Sequence, residues 1–282
     1  MRALLTVSIA FVTSLALHST MAGAAAIAAP EEVPAGPADG PKFSPPSEDD
    51  IPNSPLGDMI RLGRDIFVDT QTYAKGYVGN GLTCVNCHLD AGRLANSAPL
   101  WAAYVAYPAF RAKNNKVNSY AERLDGCFRF SMNGRMPPSD SDIVVALTSY
   151  SYWLATGAPT GAQLAGRGYP SVAKPSLAPS VQRGMVVYAD RCAICHGGSG
   201  QGTKVANKYL FPPLWGMDSY NFGAGMHRVN TAAAFIKANM PLGQANSLSD
   251  QQAWDVAAYM DSHMRPADPR QRSATAARGT AR

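Results

Sequence analysis

The pentapeptide Cys-x-x-Cys-His occurs twice, as Cys84-Val85-Asn86-Cys87-His88 and as Cys192-Ala193-Ile194-Cys195-His196. At this spacing two thiols can add across the vinyl groups of one haem, while the adjoining histidine reaches the iron from the proximal side. A chain built this way must wrap itself around two large, flat, covalently bound haem c groups. Zinc uses Cys-x-x-Cys as well, but needs further ligands that a chain with five cysteines barely supplies. A redox dithiol site does not require the following histidine, still less twice. The two motifs consume four cysteines and leave one, Cys127.

The ends of the chain read differently from its body. Arg2, the apolar run from Ala3 to Leu17 and the small residues from Ala22 to Ala29 form a secretory signal, expected over residues 1–29. Its apolar stretch is too short to span a bilayer comfortably, and no later stretch is apolar enough to do so. No integral membrane segment is therefore expected after signal cleavage. Haem attachment to such motifs takes place on the export side in bacteria, which points to the periplasm. Residues 30–54 are expected to be a Pro-rich acidic linker, and residues 266–282 a basic disordered tail. The formal charge of +5 is carried by Arg2 and the stretch Arg265–Arg282; the remainder balances 19 basic against 19 acidic residues, which does not indicate a basic surface built for nucleic acid. One internal segment, 111–135, is locally basic: Arg111, Lys113, Lys116, Arg123, Arg129 and Arg135 stand against Glu122 and Asp125. Cys127 lies inside it.

The two halves repeat one another. Pro99-Leu100-Trp101 follows the first motif and Pro213-Leu214-Trp215 follows the second. Each half opens with a helical pattern containing a glycine and a bulky apolar pair: Gly63 with Ile66 and Phe67, and Gly184 with Val187 and Tyr188. Each closes with another, around Asp142–Leu147 and Trp254–Tyr259. A glycine at such a place lets two helices cross closely. The layout resembles class I cytochrome c domains, which implies an all-α fold of two such domains, each enclosing one haem c. The expected boundaries are 55–160 and 181–265, with residues 161–180, rich in Gly, Pro, Ala and Ser, as interdomain linker. The glycine-rich run Gly197–Gly202 follows the haem motif rather than a strand and lacks a P-loop lysine, so it is read as a haem-edge loop.

The distal ligand distinguishes a saturated electron carrier from a reaction centre. In the second domain Met240-Pro241 stands just before the last helix, where a distal methionine belongs, with Met226 and His227 as competitors. In the first domain Met136-Pro137 occupies the corresponding place, with Met132 nearby. Internal symmetry alone would choose Met136 and leave Cys127 as a buried spare thiol. Against that, a solitary thiol in an oxidising compartment is a liability unless hidden or used, and its basic setting favours the thiolate.

The stretch Asn118-Ser119-Tyr120-Ala121-Glu122-Arg123-Leu124-Asp125-Gly126-Cys127-Phe128-Arg129-Phe130-Ser131-Met132-Asn133-Gly134 resembles the dihaem thiosulfate dehydrogenases, which also work as tetrathionate reductases. Both haem motifs, Phe211–Gly216, Gly223–Met226 and the Asn239-Met240-Pro241 loop carry the same resemblance. It implies that Cys127 is the distal ligand of a His/Cys haem 1, with His88 opposite. It implies a His/Met haem 2, with His196 and Met240 as axial ligands. In that family a lysine just before the methionine can replace it; this chain has Asn239 there, with Lys237 a lesser candidate. The resemblance further implies oxidation of two thiosulfate to tetrathionate or the reverse, with Lys113, Asn118, Arg123 and Ser131 as anion contacts and Arg135 a weaker one. Electrons would pass from haem 1 to haem 2 and then to an external acceptor, a small periplasmic cytochrome or other redox protein. Two other readings are open on the residues. One is a non-enzymatic dihaem carrier with Met136 on the first iron. The other is a His/Cys cytochrome that attaches thiosulfate to a cysteine of a carrier protein.

Overall fold

A computed structural model describes residues 40–112 and 114–271 of the chain. The expected signal peptide, the start of the acidic linker, Lys113 and most of the basic tail lie outside the described residues.

Ten helices carry the fold: α1 (Pro55–Val68), α2 (Thr70–Tyr73), α3 (Leu89–Gly92), α4 (Leu100–Val105), α5 (Tyr120–Gly126), α6 (Asp142–Leu154), α7 (Val181–Arg191), α8 (Ala193–His196), α9 (Val229–Asn239) and α10 (Asp250–Asp261). Their ends follow local chemistry. Ser54 accepts the Gly57 N–H and Pro55 stands in the first turn of α1, where a missing N–H costs nothing. Ser119 with Glu122 and Ser249 with Gln252 form capping boxes that start α5 and α10.

Two helix crossings organise the molecule. α1 packs on α6 through Gly63, where an added Cβ would lie 2.1 Å from the Ala146 carbonyl oxygen and 2.7 Å from Tyr150 Cβ. α7 packs on α10 through Gly184, where a Cβ would lie 2.0 Å from the Asp255 carbonyl oxygen and 2.7 Å from Tyr259 Cβ. Both glycines named by the repeat are thus sites where a side chain would collide with backbone. The described residues fall in one compact unit, yet their buried side chains separate into distinct cores. One gathers Ile60, Ile66, Phe67, Trp101, Leu147 and Tyr150; the other gathers Tyr188, Ala232, Phe235, Ile236, Val256 and Met260. A third, small cluster joins Leu82 and Met132 to Tyr220 and Ala224.

Four features differ from what the sequence led us to expect. The fold is helical but not purely α. β1 (Ala109–Arg111) pairs antiparallel with β2 (Lys116–Asn118), and β3 (Thr203–Val205) with β4 (Lys208–Phe211). Three- and four-residue strands are too short for alternation to reveal them. The acidic linker is partly packed: Phe43 lies against Trp101 with ring centroids 5.5 Å apart, and Glu48 pairs with Arg64 at 2.7 Å. The connector 161–180 is also docked, with Leu164 1% exposed and the Ala173 carbonyl accepting from Trp254 Nε1. The tail starts later than residue 266. Arg265 is buried over the Tyr220 ring, Pro266 accepts the Phe222 N–H, and Arg270 lies over Phe130. Among the described residues no helix is long and apolar enough to cross a membrane.

Candidate functional site

The described cysteines are all unpaired thiols. Cys84, Cys87 and His88 open onto a cavity of about 680 Å3 whose wall also includes Cys127, Arg123 and Ser131. That volume falls in the ~300–1,000 Å3 range of cofactor pockets. Its lining is mostly apolar, with Phe67, Leu100, Phe128 and Leu147 among the wall residues, as a tetrapyrrole requires. Burial pushes the Cys84 and Cys87 thiols up to about 12. In the protonated form they are suited to addition across the haem vinyl groups.

His88 donates from Nδ1 to the Ala98 carbonyl at 2.7 Å. That bond selects the tautomer and leaves Nε2 with its lone pair for a metal. Facing it is Cys127, the first residue of a π-helical turn, Cys127–Ser131, that continues α5. Such turns shift the side chains that follow out of helical register and recur at functional sites. Arg123 sits one turn earlier on the same face and donates from Nη1 to Cys127 Sγ at 2.9 Å. Burial alone would raise the Cys127 thiol, but the charges and hydrogen bonds of Arg123 and His88 outweigh it and bring it down to about 7. The converse holds for Arg123, whose guanidinium is raised above its ordinary value chiefly by the Cys127 thiolate. His88 and Cys127 line the same cavity, so the two candidate axial ligands are brought to one place. Met136, the choice made by internal symmetry, packs at the edge of the first core and is not among the wall residues; Met132 is.

The anion contacts implied by resemblance divide. Arg123 and Ser131 line the cavity. Asn118 does not; it is buried at the end of β2, and its side chain bonds the Glu122 carboxylate. Lys113 lies outside the described residues. Arg135 turns away to the Tyr77 ring, 5.3 Å from its centroid. Lys116 pairs with Glu122, and Arg129 reaches Asp125 at 3.5 Å. Among the wall residues not named as site residues are Arg111, whose Nη1 donates to the Tyr107 hydroxyl at 2.8 Å, and Arg167 and Tyr169. Arg111 belonged to the basic segment already noted. The other two come from the connector, and nothing local signals that it folds back onto the cavity.

The second motif has the same proximal arrangement. His196 donates from Nδ1 to the Pro212 carbonyl at 2.9 Å, and burial lowers its basicity, which keeps the imidazole neutral for ligation. Met240 terminates α9, with its N–H on the Ile236 carbonyl at 2.8 Å, and packs into the second core with Cys192 and Trp215. The competitors are placed otherwise. His227 lies 3.7 Å from Asp261 and edge-on to Phe222. Lys237 Nζ is held by the Leu248 carbonyl at 2.5 Å and by Asp250 at 3.2 Å. Met226 packs between the second core and the Tyr220 cluster.

Residues 179–260 match the family model described as cytochrome C oxidase, cbb3-type, subunit III. The chain is 62% identical over 228 residues to a thiosulfate dehydrogenase of Stutzerimonas stutzeri, covering 81% of this chain and 74% of that one. It is 55% identical over 260 residues to a thiosulfate dehydrogenase of Thiomonas intermedia, covering 92% and 83%. Among solved structures it is similar to the "as isolated" form of thiosulfate dehydrogenase (TsdBA) from Marichromatium purpuratum, with a TM-score of 0.79 and 51% identity. That match covers 83% of this chain and 53% of the other, so this chain spans about half the length of that solved protein. With relatives this similar over most of both chains, the chain belongs to the thiosulfate dehydrogenase family.

Proposed function

We propose that this chain is a periplasmic dihaem cytochrome c that oxidises two thiosulfate to tetrathionate and passes the two electrons to an external redox protein. Its two cytochrome c domains would span 55–160 and 181–265, joined by 161–180. Cys84 and Cys87 would hold haem 1 between His88 and Cys127, and Cys192 and Cys195 would hold haem 2 between His196 and Met240. The carrying observation is the Cys127 thiol, brought to about 7 chiefly by Arg123 and lining the same cavity as His88. A plain electron carrier has no need of a thiolate there.

Thiosulfate is a dianion, so two of them repel until positive charge gathers them. Arg123 and Arg111 on the cavity wall supply guanidinium donors for that purpose, with the Ser131 hydroxyl beside them. Cys127 supplies the nucleophilic sulfur. A sulfur–sulfur bond forms between its thiolate and the terminal sulfur of the first thiosulfate, releasing two electrons. The second thiosulfate attacks that outer sulfur, the Cys127 thiolate leaves, and tetrathionate departs. Arg123 stabilises the leaving thiolate as it stabilises the resting one. A haem c held at each motif would supply one one-electron acceptor, together enough for the two electrons of one turnover.

The test compares holoprotein with Cys127→Ala by low-temperature EPR and by thiosulfate-dependent reduction of an acceptor. The expected outcome is loss of turnover together with loss of the first low-spin signal. Full turnover with an unchanged signal would reduce the protein to a carrier.

A further inference from the structure

Asn239 is buried, 5% exposed, and the chemistry above makes no use of it. It is the last residue of α9 and directly precedes Met240. Its Nδ2 donates to two carbonyls, Phe235 one turn back at 3.0 Å and Asn96 at 3.0 Å. Two donor protons meet two acceptors, so the amide has one orientation and is satisfied on that side.

Asn96 is 143 residues away, in the segment that follows the first haem motif. That segment is itself tightly held. Asn96 and Ala98 both have positive φ, 64° and 47°, which a flexible loop of these residues would not retain unaided. The Asn96 N–H donates to the Gly166 carbonyl at 2.6 Å and the Ala98 N–H to the Gly168 carbonyl at 2.8 Å. The Ala98 carbonyl is the acceptor that orients His88. A continuous run of bonds therefore leads from the proximal histidine of the first site, through a strap pinned by the connector, to the residue before the distal methionine of the second.

We propose that Asn239 is a positioning residue for Met240: its carboxamide clasps the end of α9 to the strap that orients His88, and so holds the thioether at the second iron. This rests on Met240 being that iron's distal ligand. A thioether is a weak ligand on a mobile side chain, so its occupancy depends on how well its backbone is held. The Met240 N–H contributes one bond within α9. The clasp adds, beside the packing of Phe235 on Tyr169 and the Lys237 bond to Leu248, a bond from the very end of α9 to the strap.

The test titrates oxidised holoprotein with imidazole, which competes for the distal position, and follows the thioether-to-iron absorption feature. Asn239→Leu keeps the volume but removes both donors, and Asn239→Asp turns a donor into an acceptor facing two carbonyls. Each is expected to lower the imidazole concentration needed to displace the methionine about tenfold, as loss of one to two buried hydrogen bonds implies. Asn96→Gly keeps both the carbonyl and the positive φ and should leave the titration where it is. A merely structural role for Asn239 would lower the melting temperature without moving the titration of folded protein, and that result overturns the proposal. Met240→Ala serves as the reference: if it retains the absorption feature, the ligand assignment fails instead.

Discussion

At the crossing of α1 with α6, Gly63 lies against the Ala146 carbonyl and Tyr150; at the crossing of α7 with α10, Gly184 lies against the Asp255 carbonyl and Tyr259. The two halves use one device to bring two helices together, and each orients its proximal histidine by a backbone carbonyl, Ala98 or Pro212. They part at the residues placed to face those histidines. In the first half a π-turn presents Cys127 with Arg123 at its sulfur. In the second, the end of α9 presents Met240 with Asn239 anchored to the first half. The lesson is that a cytochrome scaffold leaves the distal side free to vary. What it presents there decides between a site that reacts and one that conducts.

The largest expected effect separates the halves outright. Cys127→Ala should reduce thiosulfate turnover by about a thousandfold or more, because it removes the only proposed nucleophile. Met240→Ala should leave single-turnover adduct formation measurable by mass spectrometry while slowing steady-state acceptor reduction. Equal behaviour of the two variants would erase the distinction.

The crossings should respond alike. Gly63→Ala and Gly184→Ala each place a Cβ about 2 Å from a backbone oxygen, a clash no rotamer relieves. Each should cost about 3 kcal/mol in chemical denaturation, at the upper end of overpacking. If only one is damaging, the repeat is not a structural one.

Arg123→Met should lower turnover about tenfold to a hundredfold, as loss of one charge-assisted donor to a buried thiolate implies. Arg135→Met, whose guanidinium lies over Tyr77, should change it by less than about twofold. Stopped-flow acceptor reduction distinguishes the two.

The smallest difference is in acid stability. Burial opposes ionisation of Asp255, but Arg183, the Ser180 N–H and Gln251 outweigh it and hold its carboxyl below the ordinary value. A carboxyl depressed in the folded state adds stability that is complete above its unfolded pKa, near 4, and is lost as pH falls through the lower folded value. The first half has Ala146 at the corresponding place. Asp255→Ala should therefore flatten the pH dependence of acid unfolding below about pH 4, followed by the Soret bands.

Much of this was legible locally. A haem-attachment motif is local, so Cys84, Cys87, Cys192 and Cys195 and their histidines could be singled out as candidates directly. Gly63 and Gly184 stood out because a glycine inside an apolar helix pattern has few other uses. The short hairpins could not be seen, because strands of three residues owe their existence to neighbours rather than to pattern. Asn118 illustrates the limit for the site. Its type and place suit an anion contact, yet the capping residue Glu122 claims its side chain.

The sequence by itself carried the two Cys-x-x-Cys-His motifs that point to covalent haem, since such attachment is written into consecutive residues. It also determined that one cysteine was left over and that its surroundings were basic. Only the tertiary structure brought Cys127, and not Met136, into the cavity wall with His88, because that depends on how α5 packs against a motif about forty residues earlier in the chain. The same holds for Asn239 and Asn96 and for the connector residues Arg167 and Tyr169. Their partners lie far away along the chain, and no local propensity records which surfaces a folded backbone will bring together.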